Sequence, residues 1–268
     1  MIAVEFRKQI RRLRTYIGLG ICIGLPIIIT IALKTSGPPR DRGNTEGFFR
    51  LATKSGINMP IAALSVMSLF LLPVIVMLFF GESVAGEAGW GTLRYLLVRP
   101  LKRARLLGAK VAVASVLGIV GTALVILSGL AAGVAAFGWH PVPTPYLVTL
   151  SQTDALARLA ISAGYVVWSF SGAAALAFAL STMTDVPVGA VAGSMGFVIV
   201  SQILDGITAI PDGVRNWMPT HFWRAWDGLF LAHARYGDIV RGALHQLPYV
   251  VGFAFLAWWW FARKDILS

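Results

Sequence analysis

Long apolar runs without a charged side chain constrain this sequence more than any other feature. Two of them, residues 61–80 and 111–137, contain no Asp, Glu, Lys or Arg. A run of about 18 or more apolar residues matches the thickness of a bilayer core and is typical of a spanning helix. Further mainly apolar runs lie at residues 16–33, 159–182, 186–210, which contains Asp205, and 247–262. The sequence therefore predicts an all-α polytopic membrane protein with six transmembrane helices, in which residues 1–268 form a single transmembrane domain.

The composition agrees with a membrane protein and argues against a nucleic-acid partner. Hydrophobic residues make up 57% of the chain and charged residues only 13%, whereas about 25% is usual for a soluble domain. The net charge of +11 comes from basic residues beside the predicted spans, where orientation and anionic lipid explain them. Cys22 is the only cysteine, so no internal disulfide is expected.

The distribution of basic residues predicts the orientation of the chain. Of the 23 lysines and arginines, 13 fall in residues 1–15, 81–110 and 263–268. Cytoplasmic segments carry the excess of Lys and Arg in membrane proteins. We therefore expect both termini and the 81–110 segment to lie in the cytoplasm.

Two segments outside the apolar runs carry amphipathic patterns. Residues 1–15 repeat apolar side chains at helical spacing (Ile2, Phe6, Ile10 and Leu13) among basic ones. They predict an interfacial amphipathic helix, the alternative being a basic flank that only sets orientation. Residues 211–246 place Trp223, Trp226 and Phe230 on one helical face, which indicates short re-entrant or interfacial helices on the outer side.

Small residues and prolines predict how the spans pack. Glycines recur four residues apart in three runs and favour close helix contact; they are Gly20 and Gly24, Gly129 and Gly133, and Gly189 and Gly193. Pro26 and Pro73 lie within predicted spans and are expected to kink them.

Sequence motifs for chemistry are scarce. The chain contains no G-x-x-x-x-G-K-[ST] nucleotide loop, no H-E-x-x-H and no G-x-S-x-G motif, and its four histidines lie between the predicted spans. Asp205 is the clearest ionisable residue inside a predicted span. It indicates either an ion pathway or a side chain that reaches the outer interface. Any energy for transport is therefore expected to come from outside the chain.

One stretch resembles a known family. Residues 87–100 have the sequence EAGWGTLRYLLVRP, followed by Lys102-Arg103 and by Gly108-Ala109-Lys110. This run resembles the permease subunits of ABC type 2 transporters, in which an acid, a G-T-L triplet, a proline, a basic pair and a lysine follow in this order. Residues 218–223 and 261–266 are also similar to that family, and the resemblance covers the layout of nearly the whole chain.

The resemblance implies partners rather than catalysis in this chain. A separate ATP-binding subunit would hold ATP and Mg, so no cofactor is expected here, and the permease would pair with a second copy or a sister permease in the bacterial plasma (inner) membrane. It also implies a cytoplasmic coupling helix that enters a groove of the ATP-binding subunit. The residues assigned to this interface are Glu82, Glu87, Gly89, Trp90, Gly91, Thr92, Leu93, Arg94, Leu97, Arg99 and Arg103. The alternative for this segment is a lipid-surface helix with snorkelling arginines.

The expected function is export of an amphiphilic or hydrophobic compound (a drug, lipid or peptide) by alternating access. The second and fifth spans line the cavity in the family, which makes Met67, Phe70, Phe197 and Ser201 candidate lining residues. Two alternatives remain open at this point. The permease could serve maturation of secreted enzymes or peptide immunity, or the chain could be a membrane enzyme or scaffold without transport.

Overall fold

A computed structural model describes residues 2–37, 46–89, 91 and 103–263. Of these residues, 80% are helical, and six helices are long and apolar enough to cross a membrane. The expected class, an all-α polytopic membrane protein with six candidate spans, is confirmed.

The first half of the chain forms six helices in the described ranges. They are α1 (Ile2–Ile10), α2 (Leu13–Ser36), α3 (Glu46–Ala52), α4 (Asn58–Met67), α5 (Leu71–Gly89) and α6 (Arg103–Phe137). Helices α2, α5 and α6 are candidate spans, and α4 is a shorter apolar helix.

The second half begins with a short antiparallel hairpin, in which Val142 pairs with Leu150. Its elements are β1 (Val142–Pro143), β2 (Thr149–Leu150), α7 (Gln152–Ser169), α8 (Ser171–Met183), α9 (Pro187–Gly206), α10 (Asp212–Arg215), a 3₁₀ helix (Ala225–Phe230) and α11 (Tyr236–Arg263). Helices α7 and α8 together form one candidate span, and α9 and α11 are the last two. Pro187 begins α9, where its missing N–H costs no helical hydrogen bond.

The six candidate spans run between two ends of the bundle. At one end, Arg103 donates hydrogen bonds to the carbonyls of Phe261 and Ala262, so the start of α6 meets the end of α11. Helix α1 and the end of α5 lie there too, and we call this the basic end. At the other end, which we call the aromatic end, the Gly56 N–H bonds the Gly138 carbonyl at 2.9 Å.

Helix α5 lies at the centre of the bundle. It packs against α6, α8 and α9. In its apolar 18-residue stretch 78% of the residues are buried, compared with 28% in the corresponding stretches of α2 and α9 and 11% in that of α11. The exposed sides of those outer helices are rich in aliphatic and aromatic residues. Such surfaces suit contact with lipid rather than water.

The predicted second span, residues 61–80, is wrong in its limits. The structure interrupts the helix between Met67 and Leu71 and continues α5 to Gly89. The cause is Pro73, which has no N–H for the Leu69 carbonyl four residues earlier. The Gln202 side chain of α9 donates to that carbonyl instead, at 3.0 Å.

The other predicted limits also differ, because the helices continue beyond the apolar runs into polar residues at their ends. The structure begins α2 at Leu13 and ends it at Ser36, and α11 begins at Tyr236, inside the segment expected to hold only short outer helices. Pro26 does not end α2, since the helix continues through it.

Some of the predicted glycine pairs lie against another helix, and others have no close neighbour. A Cβ on Gly133 would lie 2.3 Å from the Gly56 carbonyl oxygen, and one on Gly129 would lie 3.0 Å from the Pro60 Cα. These contacts confirm the close approach predicted for α6, whose partner is α4. A Cβ on Gly20 or Gly24 would meet no atom within 4 Å, so the packing predicted for that pair does not occur within the described part of the chain.

Three aromatic residues of the segment 211–246 pack inward. Trp223, Trp226 and Phe230 are all buried, and Trp223 meets the Phe170 ring edge-on with centroids 4.9 Å apart. Phe48 lies 5.9 Å from Phe230. The shared face predicted from their spacing therefore contacts protein, rather than the membrane interface that the sequence suggested.

Candidate functional site

A buried cluster of charged side chains lies at the basic end, where α1, α5 and α6 meet. Its centre is Lys110, of which only 1% is exposed. The Lys110 ammonium contacts a Glu87 carboxylate oxygen at 2.8 Å and a Glu5 oxygen at 3.1 Å. It also donates to the Ser83 carbonyl at 2.7 Å. Lys8 completes the cluster by pairing with Glu87.

A second ion pair adjoins this cluster one turn earlier on α5. Glu82, which is 5% exposed, pairs with Arg14 of α2. Arg12, between α1 and α2, approaches the same carboxylate at 3.7 Å. Together the two groups bring carboxylates and cations into one region, and we call them the charge clamp. Its members are Glu5, Lys8, Arg12, Arg14, Glu82, Glu87 and Lys110.

The charge clamp holds the N-terminal helix against the central span. Removal of charges from water is costly, so a buried ion is tolerated only where counter-charges and hydrogen bonds surround it. Removal of one partner leaves the other charge buried and unpaired. The α1 helix is therefore fixed to α5 and α6 by contacts that are strong as a set.

The local sequence explains why α5 accepts such close neighbours. Small residues follow Phe80, and a Cβ on Gly86 would lie 3.2 Å from the Arg12 guanidinium. A Cβ on Gly81 would lie 2.8 Å from the Val191 side chain of α9. The Ser181 hydroxyl of α8 accepts hydrogen bonds from the Val84 and Ala85 N–H groups. These contacts fasten the end of α5 on three sides.

The structure gives the predicted coupling residues different surroundings. Glu82 and Glu87 are engaged in ion pairs within the chain, which does not suit direct contact with a partner protein. Gly89 lies against the Asp185 carbonyl, where a Cβ would be 2.7 Å away. Gly91 has a positive φ of 66°, a conformation that favours glycine.

Arg103 belongs to the same end of the bundle but bonds within the chain. Its guanidinium donates to the last carbonyls of α11 at 2.9 Å. The remaining coupling candidates lie outside the described residues; they are Trp90, Thr92, Leu93, Arg94, Leu97 and Arg99.

The structure gives the four predicted cavity residues different surroundings. Met67 is fully buried, and the Ser201 hydroxyl is bonded to the Thr220 hydroxyl at 2.7 Å. Phe70 and Phe197 are 53% and 39% exposed, and Phe197 meets the Phe253 ring at 6.1 Å.

A cavity of about 310 Å³ lies instead among α5, α6, α7 and α8. It contains none of the four predicted residues and is lined by apolar side chains, with Ser115, Thr122 and Ser171 as its hydroxyl groups. The Ser171 oxygen is buried and has no hydrogen-bond partner in the described part of the chain. A mainly apolar space with few polar groups suits a hydrophobic or amphiphilic molecule.

Sequence reasoning misses five members of the charge clamp as site residues, namely Glu5, Lys8, Arg12, Arg14 and Lys110. From the sequence, Lys110 is only the lysine that opens an apolar run, and Glu5 and Lys8 are only parts of a basic segment. A signal is present, because Glu5 is the only acid among residues 1–15. A single acid in a basic amphipathic segment suggests a specific partner, although the pairing itself depends on the fold.

Asp205 has a partner at the aromatic end. Its carboxylate lies 2.5 Å from His221 Nδ1, and Arg215 donates to its backbone carbonyl at 2.8 Å. Both partners follow α9 in the chain, which favours the interfacial interpretation over an ion pathway. Among the described residues, no group of three or more His, Cys, Asp or Glu side chains could hold a metal ion.

Asp227 is a partly buried carboxylate near Tyr146 of the hairpin. Burial raises its pKa above the ordinary range, and the Arg224 guanidinium opposes this only in part. One oxygen accepts hydrogen bonds from Arg224 at 2.9 and 3.1 Å, while the other is buried without a partner in the described part of the chain. Burial also raises the pKa of Tyr146, and the charge of Asp227 adds to that shift.

Comparison with known proteins places the chain in a family. A family model described as "Protein of unknown function (DUF2705)" matches residues 49–267. The chain belongs to this family. The match includes five of the six candidate spans and the segment between α5 and α6, while α1 and α2 precede it. A search of the curated proteins finds no match.

Proposed function

We propose that this protein is the membrane-spanning subunit of an ATP-driven exporter, powered by a separate ATP-binding subunit. The observation that carries the proposal is the charge clamp at the end of the most buried span. Helix α5 contacts α6, α8 and α9 and is joined to α1 through Lys8 and Glu87. A force applied to residues 90–102, which directly follow α5, would therefore reach four helices at once.

The sequence supports the same assignment independently. The chain has no nucleotide-binding loop of its own, and residues 87–100 resemble the coupling segment of ABC type 2 permeases. Residues 90–102 contain Arg94, Arg99 and Lys102 together with Trp90 and Leu93. Cations and apolar side chains in one short segment suit a groove with acidic and apolar walls.

The internal pairing of Glu82 and Glu87 changes their proposed role. They transmit movement from the coupling segment to α1 and α2, and do not themselves contact the partner. Docking is assigned to Trp90, Thr92, Leu93, Arg94, Leu97 and Arg99. The basic end faces the cytoplasm in this proposal, because 13 of the 23 lysines and arginines fall in residues 1–15, 81–110 and 263–268.

Helix α1 lies at the cytoplasmic interface in the proposed arrangement. Ile2 and Val4 are 58% and 73% exposed, and Arg7 and Arg11 are exposed on the same helix and its end. A short helix with exposed apolar and basic side chains suits the headgroup region of a membrane. The aromatic end then faces outward.

The proposed cargo is a hydrophobic or amphiphilic compound. The cavity among α5, α6, α7 and α8 supports this class, because it is lined mainly by apolar groups, with Ser115, Thr122 and Ser171 as its few hydroxyl-bearing residues. Permease functions in enzyme maturation or peptide immunity would use the same coupling, and differ only in cargo.

Copurification tests the proposal. A tagged chain expressed from its native locus is expected to bring down a P-loop ATPase, and the variant Arg94→Glu/Arg99→Glu is expected to lose it. The matched control is Arg7→Glu, which changes an exposed arginine outside the coupling segment. Absence of an ATPase from the wild-type sample, at full recovery of the tagged chain, would contradict the proposal. Equal recovery with the double variant would contradict the docking assignment.

A further inference from the structure

A basic pocket opens at the joint between α1 and α2. The helix is interrupted at Arg11 and Arg12, and Arg12 has an extended backbone with φ −80° and ψ 131°. This break leaves a pocket of about 630 Å³. Its lining consists of Lys8, Arg11, Arg12, Leu13, Arg14, Ile17 and Gly86.

The pocket has more positive charge than its acidic neighbours neutralise. Four of its seven lining residues are cations, and the carboxylates beside them are Glu82 and Glu87. Glu87 is also shared with Lys110. The region of the charge clamp together with Arg11 therefore keeps at least two uncompensated positive charges, which favours an anionic occupant.

Two guanidinium groups have hydrogen-bond capacity to spare. Arg11 is exposed and makes no side-chain ion pair or hydrogen bond among the described residues. The Arg12 Nη1 atom is buried and has no hydrogen-bond partner there. Gly86 leaves the space that this guanidinium occupies. A phosphate group would accept charge-assisted hydrogen bonds from Arg11, because its oxygens match the planar fork of a guanidinium, and Arg12 would add positive charge beside it.

The apolar rim of the pocket indicates which phosphate compound would bind. Leu13 and Ile17 are 75% and 54% exposed, and the exposed aliphatic side chains continue along α2 through Ile21, Ile28 and Ile31. A molecule with a phosphate at one end and acyl chains at the other would place its charge on the arginines and its chains along α2. A free phosphate would leave the apolar rim unused.

We propose that this pocket binds the phosphate of an anionic phospholipid. Basic pockets beside membrane spans bind lipid headgroups by the same chemistry. Because the lipid would contact Arg11 and Arg12 at the hinge of the charge clamp, it would fix the position of α1 relative to α2. This assignment is independent of the proposed exporter function, since it needs no ATP-binding subunit.

Native mass spectrometry of the full chain tests this proposal with short-chain phosphatidylglycerol as the probe. We expect tighter binding of phosphatidylglycerol than of phosphatidylcholine with the same acyl chains. The variant Arg11→Gln is expected to weaken phosphatidylglycerol binding about tenfold, the loss of one charge-assisted hydrogen bond. The control Arg7→Gln removes the same charge from an exposed position outside the pocket, and its loss of phosphatidylglycerol binding is expected to be clearly smaller than that of Arg11→Gln.

Each remaining outcome would overturn the assignment. Equal binding of the two lipids would exclude recognition of the anionic headgroup. An equal loss in Arg7→Gln and Arg11→Gln would indicate general charge attraction without a pocket. If inorganic phosphate competes fully with the lipid at similar concentration, the site binds soluble phosphate instead. Arg11 is exposed, so its substitution is not expected to prevent folding.

Discussion

At the scale of single residues, the pairing of Lys110 with Glu87 is the contact on which the basic end most depends. We expect Lys110→Met to lower the free energy of unfolding by about 3–5 kcal/mol, because it leaves two carboxylates without their main partner. Glu87→Gln should cost a similar amount by leaving Lys110 and Lys8 short of one counter-charge. The double variant should lose clearly less free energy of unfolding than the sum of the two single losses, because it removes both buried charges and leaves neither of them unpaired.

Unfolding of the purified variants in one detergent, followed by intrinsic tryptophan fluorescence, measures these changes. Arg7→Gln serves as the control, and a change within about 0.5 kcal/mol is expected for such an exposed side chain. Additive losses in the Lys110 and Glu87 variants would show that the two side chains are not coupled.

Asp227 provides a pH-dependent prediction at the same scale. Burial raises the pKa of this carboxyl in the folded protein, so the folded state is favoured when Asp227 is protonated. This stabilisation is complete below the ordinary aspartate pKa of 3.8 and is lost as the pH rises through the folded-state pKa. Asn cannot ionise, so Asp227→Asn should match the wild type at the acidic end and be more stable than it at neutral pH.

Thermal unfolding of both proteins across the acidic to neutral range measures the difference. The melting temperature of Asp227→Asn minus that of the wild type should increase with pH. A difference that decreases with pH would mean that the bonds from Arg224 outweigh the cost of burial, contrary to this assignment.

At the scale of elements, the interruption between α4 and α5 depends on one side chain from another span. Gln202→Leu removes the donor that bonds the Leu69 carbonyl. The expected cost is about 1 kcal/mol, toward the low end of the penalty for an unsatisfied polar group, because the bond is only partly buried. In a Pro73→Ala background an N–H is restored beside that carbonyl, so Gln202→Leu should cost less there.

The wild type, the two single variants Gln202→Leu and Pro73→Ala, and the double variant form a double-mutant cycle. Their free energies of unfolding can be compared in a single detergent. Gln202→Glu has a similar size but lacks the amide donor when ionised, so it should be destabilised as well. An equal cost of Gln202→Leu with and without Pro73 would show that Gln202 acts elsewhere than at the interrupted helix.

The same helices show what a sequence can predict and where it fails. Six spans follow from apolar length alone, and Pro73 indicates a disturbance in the second of them. The partner of the freed Leu69 carbonyl lies 133 positions away on α9, and no local pattern specifies such a contact. For the same reason, the resemblance to ABC type 2 permeases assigns Glu82 and Glu87 to contact with a partner protein. Their counter-charges on α1, α2 and α6 become neighbours only when the helices pack.

Periodicity also identifies a face without identifying what covers it. Trp223, Trp226 and Phe230 are all buried against protein, but Trp223 lies in a turn before the 3₁₀ helix that holds the other two. Gly133 and Gly24 belong to the same kind of glycine pair, yet only Gly133 touches another helix. Helix directions fix these differences, and they depend on the whole set of tertiary contacts.

At the scale of the whole molecule, the two ends of the bundle should lie on opposite sides of the membrane. Arg105 is exposed in the first turn of α6 at the basic end, and Leu147 is fully exposed in the hairpin at the aromatic end. The native Cys22 is buried, so the wild type is expected to show little labelling by thiol reagents. In intact cells, an impermeant maleimide should label Leu147→Cys and leave Arg105→Cys unlabelled.

Permeabilised cells complete the labelling experiment, because both introduced cysteines should then react to a similar extent. The excess of lysine and arginine at the basic end is the reason to place that end in the cytoplasm. The reverse pattern, with Arg105→Cys labelled in intact cells, would put residues 90–102 outside the cell. No cytoplasmic ATP-binding subunit could then reach them, so the exporter assignment would fail with the predicted orientation. Binding of an anionic phospholipid between α1 and α2 would survive that result, since both leaflets of a membrane can supply the headgroup.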